Sequence, residues 1–217
     1  MGDFSKLKNV TTVNSFDKLN DNEDVDMDLI FVMDKSGSMW NVEEDTIGGF
    51  NSFIQREKSK NQNTRVTLVL FDDEYKILYT RKPIDEVELL TNKEYCTGGC
   101  TALLDAVGTT IVSLDKEVSE KVMFVITTDG LENASREFTR DAVKELITAH
   151  DWEFLFIGAD IDSYSEAASI GIRSERAANY HKSATGLGAL FGAVGDFKDA
   201  YADSESVNGV EWKKRLG

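Results

Sequence analysis

Histidine and cysteine are scarce in this chain of 217 residues, with two of each, and proline occurs once, as Pro83. Cys96 and Cys100 lie four apart, and His150 and His181 stand far from them, so no zinc-ligand spacing is present. With so few cysteines no disulfide framework can form, and inert thiols in a reducing compartment are expected. No HExxH helix, nucleophile elbow or other base–nucleophile pair occurs, which argues against an enzyme. No apolar run reaches the roughly 18 residues of a membrane-spanning helix. The amino-terminal Met1-Gly2-Asp3-Phe4-Ser5-Lys6 lacks a basic segment followed by an apolar one, and Lys6 breaks the myristoylation pattern. A cytoplasmic location is the resulting expectation. Positive charge is also short: 24 basic against 39 acidic residues leave a net charge of −15. Such a chain repels nucleic-acid backbones and anionic membranes at long range, so neither is expected as a partner.

What is present suits one sizeable domain with a full hydrophobic core. Apolar residues make up 41% and charged residues 29% of the chain, ordinary values for a globular protein. Residues 1–25 read as a flexible acidic arm with one short edge strand near Val10 to Val13. Asp17, Asp21, Glu23, Asp24, Asp26 and Asp28 concentrate negative charge before the first strand. The folded domain is expected over 26–203, followed by a polar tail over 204–217.

From Met27 onward the pattern alternates strand and helix. Strands are predicted at 28–33, Arg65 to Phe71, Tyr75 to Thr80, Val122 to Thr128 and Trp152 to Ile157, with a short edge strand at Ala177 to His181. Asp72-Asp73-Glu74 joins the second and third as a hairpin turn, where Asp is common for turn reasons alone. Helices are predicted from the stripes Ile47/Phe50/Ile54, Leu103/Ala106 or Val107/Thr110 or Ile111/Leu114 and Val143/Leu146/Ile147, with a short one at Ser163 to Ser169 and a last one over 185–201 from Leu187/Leu190/Phe191/Val194/Phe197. The pair Gly48-Gly49 is expected to admit a close neighbouring strand or loop. Alternation of this kind implies an α/β, Rossmann-like doubly wound sheet, mostly parallel, with one antiparallel edge strand and helices on both faces.

The junctions at the strand ends carry the functional signal. Asp34-Lys35-Ser36-Gly37-Ser38 follows the apolar run Leu29 to Met33 and puts a carboxylate and two hydroxyls on the loop leaving a buried strand. Gly98-Gly99-Cys100-Thr101 opens a helix, and Val122 to Thr128 ends at Asp129-Gly130. In open α/β sheets ligands bind outside the carboxyl ends of the strands, near the point where strand order reverses. Oxygen ligands on short side chains suit a hard divalent cation, with the hydroxyls adding no negative charge. The plainer alternative is that Asp34 and Ser36 cap a turn or helix. Asp105 either orients a loop or is a solvated helical carboxylate. Glu132 and Asn133 either touch a partner, hold a water near the ion, or form an ordinary polar loop.

Together these three motifs resemble the von Willebrand factor A (VWA) domain and its metal-ion-dependent adhesion site, in wording closest to bacterial or phage cytoplasmic members. The resemblance covers about residues 27–201 and implies the VWA fold. It also implies metal ligands at Asp34, Ser36, Ser38, Thr101 and Asp129, holding Mg²⁺, with Mn²⁺ or Ca²⁺ as alternatives. Its implied function is a metal-dependent protein-binding module whose cation captures an acidic side chain of a partner protein. Where the family commonly has Gly-Gly-Thr, Cys100 stands before Thr101. The competing functions are a metal-dependent hydrolase or phosphotransfer enzyme, and a structural domain of a larger assembly with a vestigial site. Because the chain is itself acidic, partner binding is expected to need the metal and to strengthen with moderate salt.

Overall fold

Long apolar runs in this sequence become strands buried on both faces. The structure, a computed structural model, describes residues 25–60, 62–119, 121–203, 207 and 211–216. The edge strand expected near Val10 to Val13, and nearly all of the acidic arm, lie outside the described residues. Six strands of the described residues form one sheet: β1 (Met27–Asp34), β2 (Thr64–Phe71), β3 (Tyr75–Pro83), β4 (Val122–Thr128), β5 (Glu153–Gly158) and β6 (Ala177–Asn179), in the order β3-β2-β1-β4-β5-β6. Every pairing is parallel except β2 with β3, which is antiparallel. That antiparallel partner is the edge strand, as expected.

Among the described residues five α-helices cover the sheet: α1 (Glu43–Lys58), α2 (Leu103–Leu114), α3 (Arg140–Ala149), α4 (Ser163–Ser169) and α5 (Ala184–Ala202). Alternate residues of β1 face opposite layers. Leu29, Phe31 and Met33 pack with α1 and α5, whereas Ile30 and Val32 pack with α2, α3 and α4. Phe31 meets the rings of Phe50 and Phe53 edge-on at 5.3 and 5.4 Å, an arrangement that suits aromatic quadrupoles. The neighbour that Gly49 admits is a helix rather than a strand or loop: a Cβ there would lie 2.6 Å from the Phe191 ring of α5, whereas Gly48 faces open space. Small size at one position sets the α1–α5 distance.

Sequence periodicity missed the short 3-10 turns of the described residues, at Gly37–Asn41, Ile84–Glu86, Ser174–Arg176 and Glu211–Arg215; the first and last matter most. Residues Gly37–Asn41 form a 3-10 turn between β1 and α1. In the segment 204–217, read as a polar tail, Glu211–Arg215 form another, and Trp212 and Leu216 are buried against the α5 layer. The Trp212 ring meets Phe197 edge-on at 5.7 Å. A lone Trp among charged residues has no periodicity, so only the tertiary packing reveals it. No described helix is long and apolar enough to cross a membrane.

Candidate metal centre at the carboxyl rim

Strand order determines where a site can form. The chain runs outward from β1 through β2 to β3, then returns to the other side of β1 for β4, β5 and β6. The order therefore reverses between β1 and β4, which opens a crevice at their carboxyl ends. Asp34 ends β1, and Asp129 directly follows β4.

Asp34 is almost wholly buried. One carboxylate oxygen accepts the backbone N–H of Ser36 at 2.6 Å, and the other accepts the Thr128 hydroxyl at 2.6 Å. Burial pushes its pKa up to about 6, against hydrogen bonds from Thr128 and Ser36 that pull it down; the nearby charge of Asp129 adds to the rise. The Ser36 and Ser38 hydroxyls lie 3.1 Å apart, and Ser38 in turn donates to Asp129 Oδ1. Thr101 joins them through Gly130: a Cβ at that glycine would sit 2.8 Å from Thr101 Oγ1 and 3.8 Å from Ser38 Oγ. Asp34, Ser36, Ser38, Thr101 and Asp129 thus share one rim, although they come from three loops.

Neighbouring segments hold those loops. Tyr95, fully buried, donates its hydroxyl to the Asp34 carbonyl at 2.6 Å. Gly37 N–H donates to the Gly99 carbonyl at 3.1 Å, and Gly98 N–H to the Lys35 carbonyl at 2.9 Å. Gly99 has φ +67°, and a Cβ there would fall 1.8 Å from Asp73 Oδ1, so glycine is required on both counts. Asp73 accepts the Cys100 N–H at 3.1 Å, and Asp72 pairs with Lys35. The hairpin-tip carboxylates therefore brace the site as well as turn the chain. Cys100 itself is exposed.

Asn133 and Glu132 have structural partners. Asn133 Oδ1 accepts Thr101 N–H at 2.9 Å, and Glu132 accepts N–H groups of Leu104, Ala134 and Ser135 at 2.9, 2.9 and 2.7 Å. Asp105 accepts three N–H groups of the β4–α3 loop, from Arg136, Glu137 and Phe138. Of its two readings, orientation of that loop is the one the structure supports.

Three residues near the site carried no recognised signal. Thr128 stands beside Asp129, Tyr95 lies in a polar loop, and Lys182 comes from the segment between β6 and α5. The Lys182 ammonium is 2.6 Å from Asp129 Oδ2 and 2.5 Å from the Ser38 carbonyl. Asp129 Oδ2 is buried and has this ion pair but no well-directed hydrogen bond. Tyr180, also buried, lies near both carboxylates, and burial foremost pushes its hydroxyl pKa up.

A sequence profile of the von Willebrand factor type A domain matches residues 28–191. The chain belongs to this family. No curated protein matches it. Solved structures similar to this VWA domain include three from different organisms. The vWF domain of the type V pili tip protein Mfa5 from Porphyromonas gingivalis has 12% identity and a TM-score of 0.63, covering 85% of this chain and 98% of that one. Pilus adhesin SpaC from Lactobacillus rhamnosus GG has 14% identity and a TM-score of 0.64, covering 78% and 29%. Proximal thread matrix protein 1 from the mussel byssus, with a zinc-occupied MIDAS motif, has 18% identity and a TM-score of 0.57, covering 79% and 45%. The chain thus spans less than half the length of the mussel protein. At these identities the likeness shows the fold.

The VWA rim has a donor set that fits a hard cation. Among the described residues no three His, Cys, Asp or Glu side chains gather to hold a metal, because this set is mostly hydroxyl. Gly130 leaves free the space next to Thr101 and Ser38 that a side chain would fill. Asp129 meets Ser38 through Oδ1, while its other oxygen, buried, faces the Lys182 ammonium. Two exposed apolar side chains follow the rim's ligand loops closely in sequence. Trp40, at 72% exposure, is two residues beyond Ser38, and Leu131, at 55%, is two beyond Asp129.

Proposed function

We propose that this VWA domain is a divalent-cation-dependent protein-binding module. Asp34, Ser36, Ser38, Thr101 and Asp129 would hold the ion, Mg²⁺ foremost, and a partner's carboxylate would complete its coordination. One observation carries the reading: five oxygen-bearing side chains from three loops converge where strand order reverses. Hydroxyl ligands leave a cation electron-poor, so it retains affinity for one further anionic oxygen. The zinc-occupied MIDAS motif of the mussel protein, a structure of similar fold, supports a metal-binding reading. Trp40 and Leu131 would give the partner apolar contact beside its acidic residue, since exposed aromatic anchors concentrate binding energy.

Binding of this kind needs no base–nucleophile pair. His150 precedes β5, at the opposite end from the rim, with its ring nitrogens engaged by the Leu146 carbonyl and Asp115. The test is a displayed peptide library panned on immobilised protein in Mg²⁺ and again in chelator, with Ser36→Ala alongside. The expected result is a set of peptides carrying Asp or Glu next to apolar residues, retained by the wild type in Mg²⁺ alone. Equal retention in chelator, or by Ser36→Ala, overturns the proposal.

A further inference from the structure

Lys182 brings a positive charge to two residues of the proposed ligand set, at the Asp129 carboxylate and the Ser38 main-chain carbonyl. Its ammonium contacts Asp129 Oδ2 at 2.6 Å and the Ser38 carbonyl at 2.5 Å, and its side chain is only 14% exposed. Its backbone is held on both sides. Tyr180 N–H donates to the Gly158 carbonyl at 2.9 Å, and Ser183 N–H donates to the His181 carbonyl at 2.8 Å. Ser183 Oγ accepts Gly186 N–H at 3.1 Å as the N-cap of α5. A Cβ at Gly186 would fall 1.7 Å from the His181 carbonyl, so this loop presses on the first turn of α5 and needs the glycine. The main chain at 182 is therefore fixed, and the four-carbon side chain is what can swing.

We infer that Lys182 is a tethered counter-cation of the site: it neutralises Asp129 when no divalent ion is bound, and a divalent ion must displace it to bind. The inference rests on the metal-binding reading above. A buried carboxylate oxygen with no hydrogen bond is costly unless a cation faces it, and an ammonium on a flexible stem supplies one. Asp129 and Ser38 belong to the proposed ligand set, so a lysine cation and a divalent ion at the same carboxylate repel one another. Lys182 thereby keeps the rim assembled at low metal concentration and raises the concentration at which metal binds. It is a residue that sets the affinity of the site rather than a ligand.

The test is calorimetric titration of MnCl₂ into chelator-stripped full chain: wild type, Lys182→Met, Lys182→Gln and Lys182→Arg. Removal of one like charge in contact with the site should tighten Mn²⁺ binding roughly 10- to 100-fold in the Met and Gln variants, while Arg stays near wild type. In chelator the Met and Gln variants should melt below wild type, and saturating Mn²⁺ should close the gap. A purely structural lysine would lower the melting point without tightening Mn²⁺. Two neutral variants are used so that a folding defect in one leaves the other to decide. Equal or weaker Mn²⁺ binding in the neutral variants, with binding by wild type, overturns the role of Lys182 and leaves the metal reading standing. If no folded version takes up Mn²⁺, both fall.

Discussion

Asp105 offers a direct measure of how firmly the β4–α3 loop is tied to the helix beside the site. Its carboxylate on the first turn of α2 accepts Arg136 N–H at 2.7 Å on one oxygen, and Glu137 and Phe138 N–H at 2.9 and 2.8 Å on the other. Substitution by Ala leaves three donors to find new partners. Arg136 and Glu137 are exposed, so water replaces much of what they lose, at about 0.5 kcal/mol each. Phe138 is buried, and its N–H loses a charge-assisted bond at about 1.5 kcal/mol. A negative charge near the α2 amino terminus adds roughly 0.5 kcal/mol. The total for Asp105→Ala is about 3 kcal/mol, or a fall of roughly 6–12 °C in Tm for a domain of this size. Asp105→Asn keeps an acceptor for Glu137 and Phe138 but turns an amide donor toward Arg136, so about 1 kcal/mol is expected. Urea denaturation of the three proteins should therefore rank wild type above Asn above Ala. A loss below about 0.5 kcal/mol for Ala, the range of an ordinary surface change, would show that the carboxylate is merely solvated.

Three further outcomes follow from buried groups. Asp34 titrates near 6 in the fold against the ordinary 3.8, so the folded chain holds this proton more tightly than the unfolded one. Its contribution is greatest below about pH 4 and is lost as pH rises through about 6. In chelating buffer the stability of Asp34→Asn relative to wild type should accordingly grow by about 2.5 kcal/mol from pH 4 to pH 7, and a pH-independent difference would refute it. Lys198, 1% exposed, pairs at 3.0 Å with Glu57, itself 2% exposed. Lys198→Met should cost about 2–4 kcal/mol in denaturant titration because Glu57 then keeps only Lys60 at 2.8 Å and Arg56 at 3.4 Å, and adding Glu57→Leu should recover most of it. At Gly108 a Cβ would lie 2.4 Å from the Phe138 ring. Gly108→Ala should therefore lose roughly 1–3 kcal/mol by thermal melting despite the better helix propensity of Ala, and a gain in Tm would refute the close packing.

Much of the fold was legible because burial writes a period into the sequence. Leu29 to Met33 and Val122 to Thr128 are apolar enough to be buried on both faces, and the Leu187/Leu190/Phe191/Val194/Phe197 stripe places α5 within a residue or two of its ends. The short turn at Gly37–Asn41 has too few residues for a period. Trp212 looked solvated because its neighbours are charged, yet it completes the layer beside Phe197. The glycine pair in α1 signalled a close approach, but nothing in the local pattern says that the visitor is Phe191 from the far end of the chain.

By itself, then, the sequence determined the strand–helix alternation, the antiparallel edge and the three loops that carry Asp34, Ser36, Ser38, Thr101 and Asp129. These are local properties: hydrophobic period, turn chemistry and the residues that follow a strand. Only the tertiary structure decided that β1 and β4 are neighbours at the reversal of strand order, which makes three separate motifs one site. It alone placed the Thr128 hydroxyl on Asp34 across 94 positions, and Lys182 on Ser38 across 144. Contacts at such separations arise from how the sheet is wound, and a lone Thr or Lys has no spacing that records its partner.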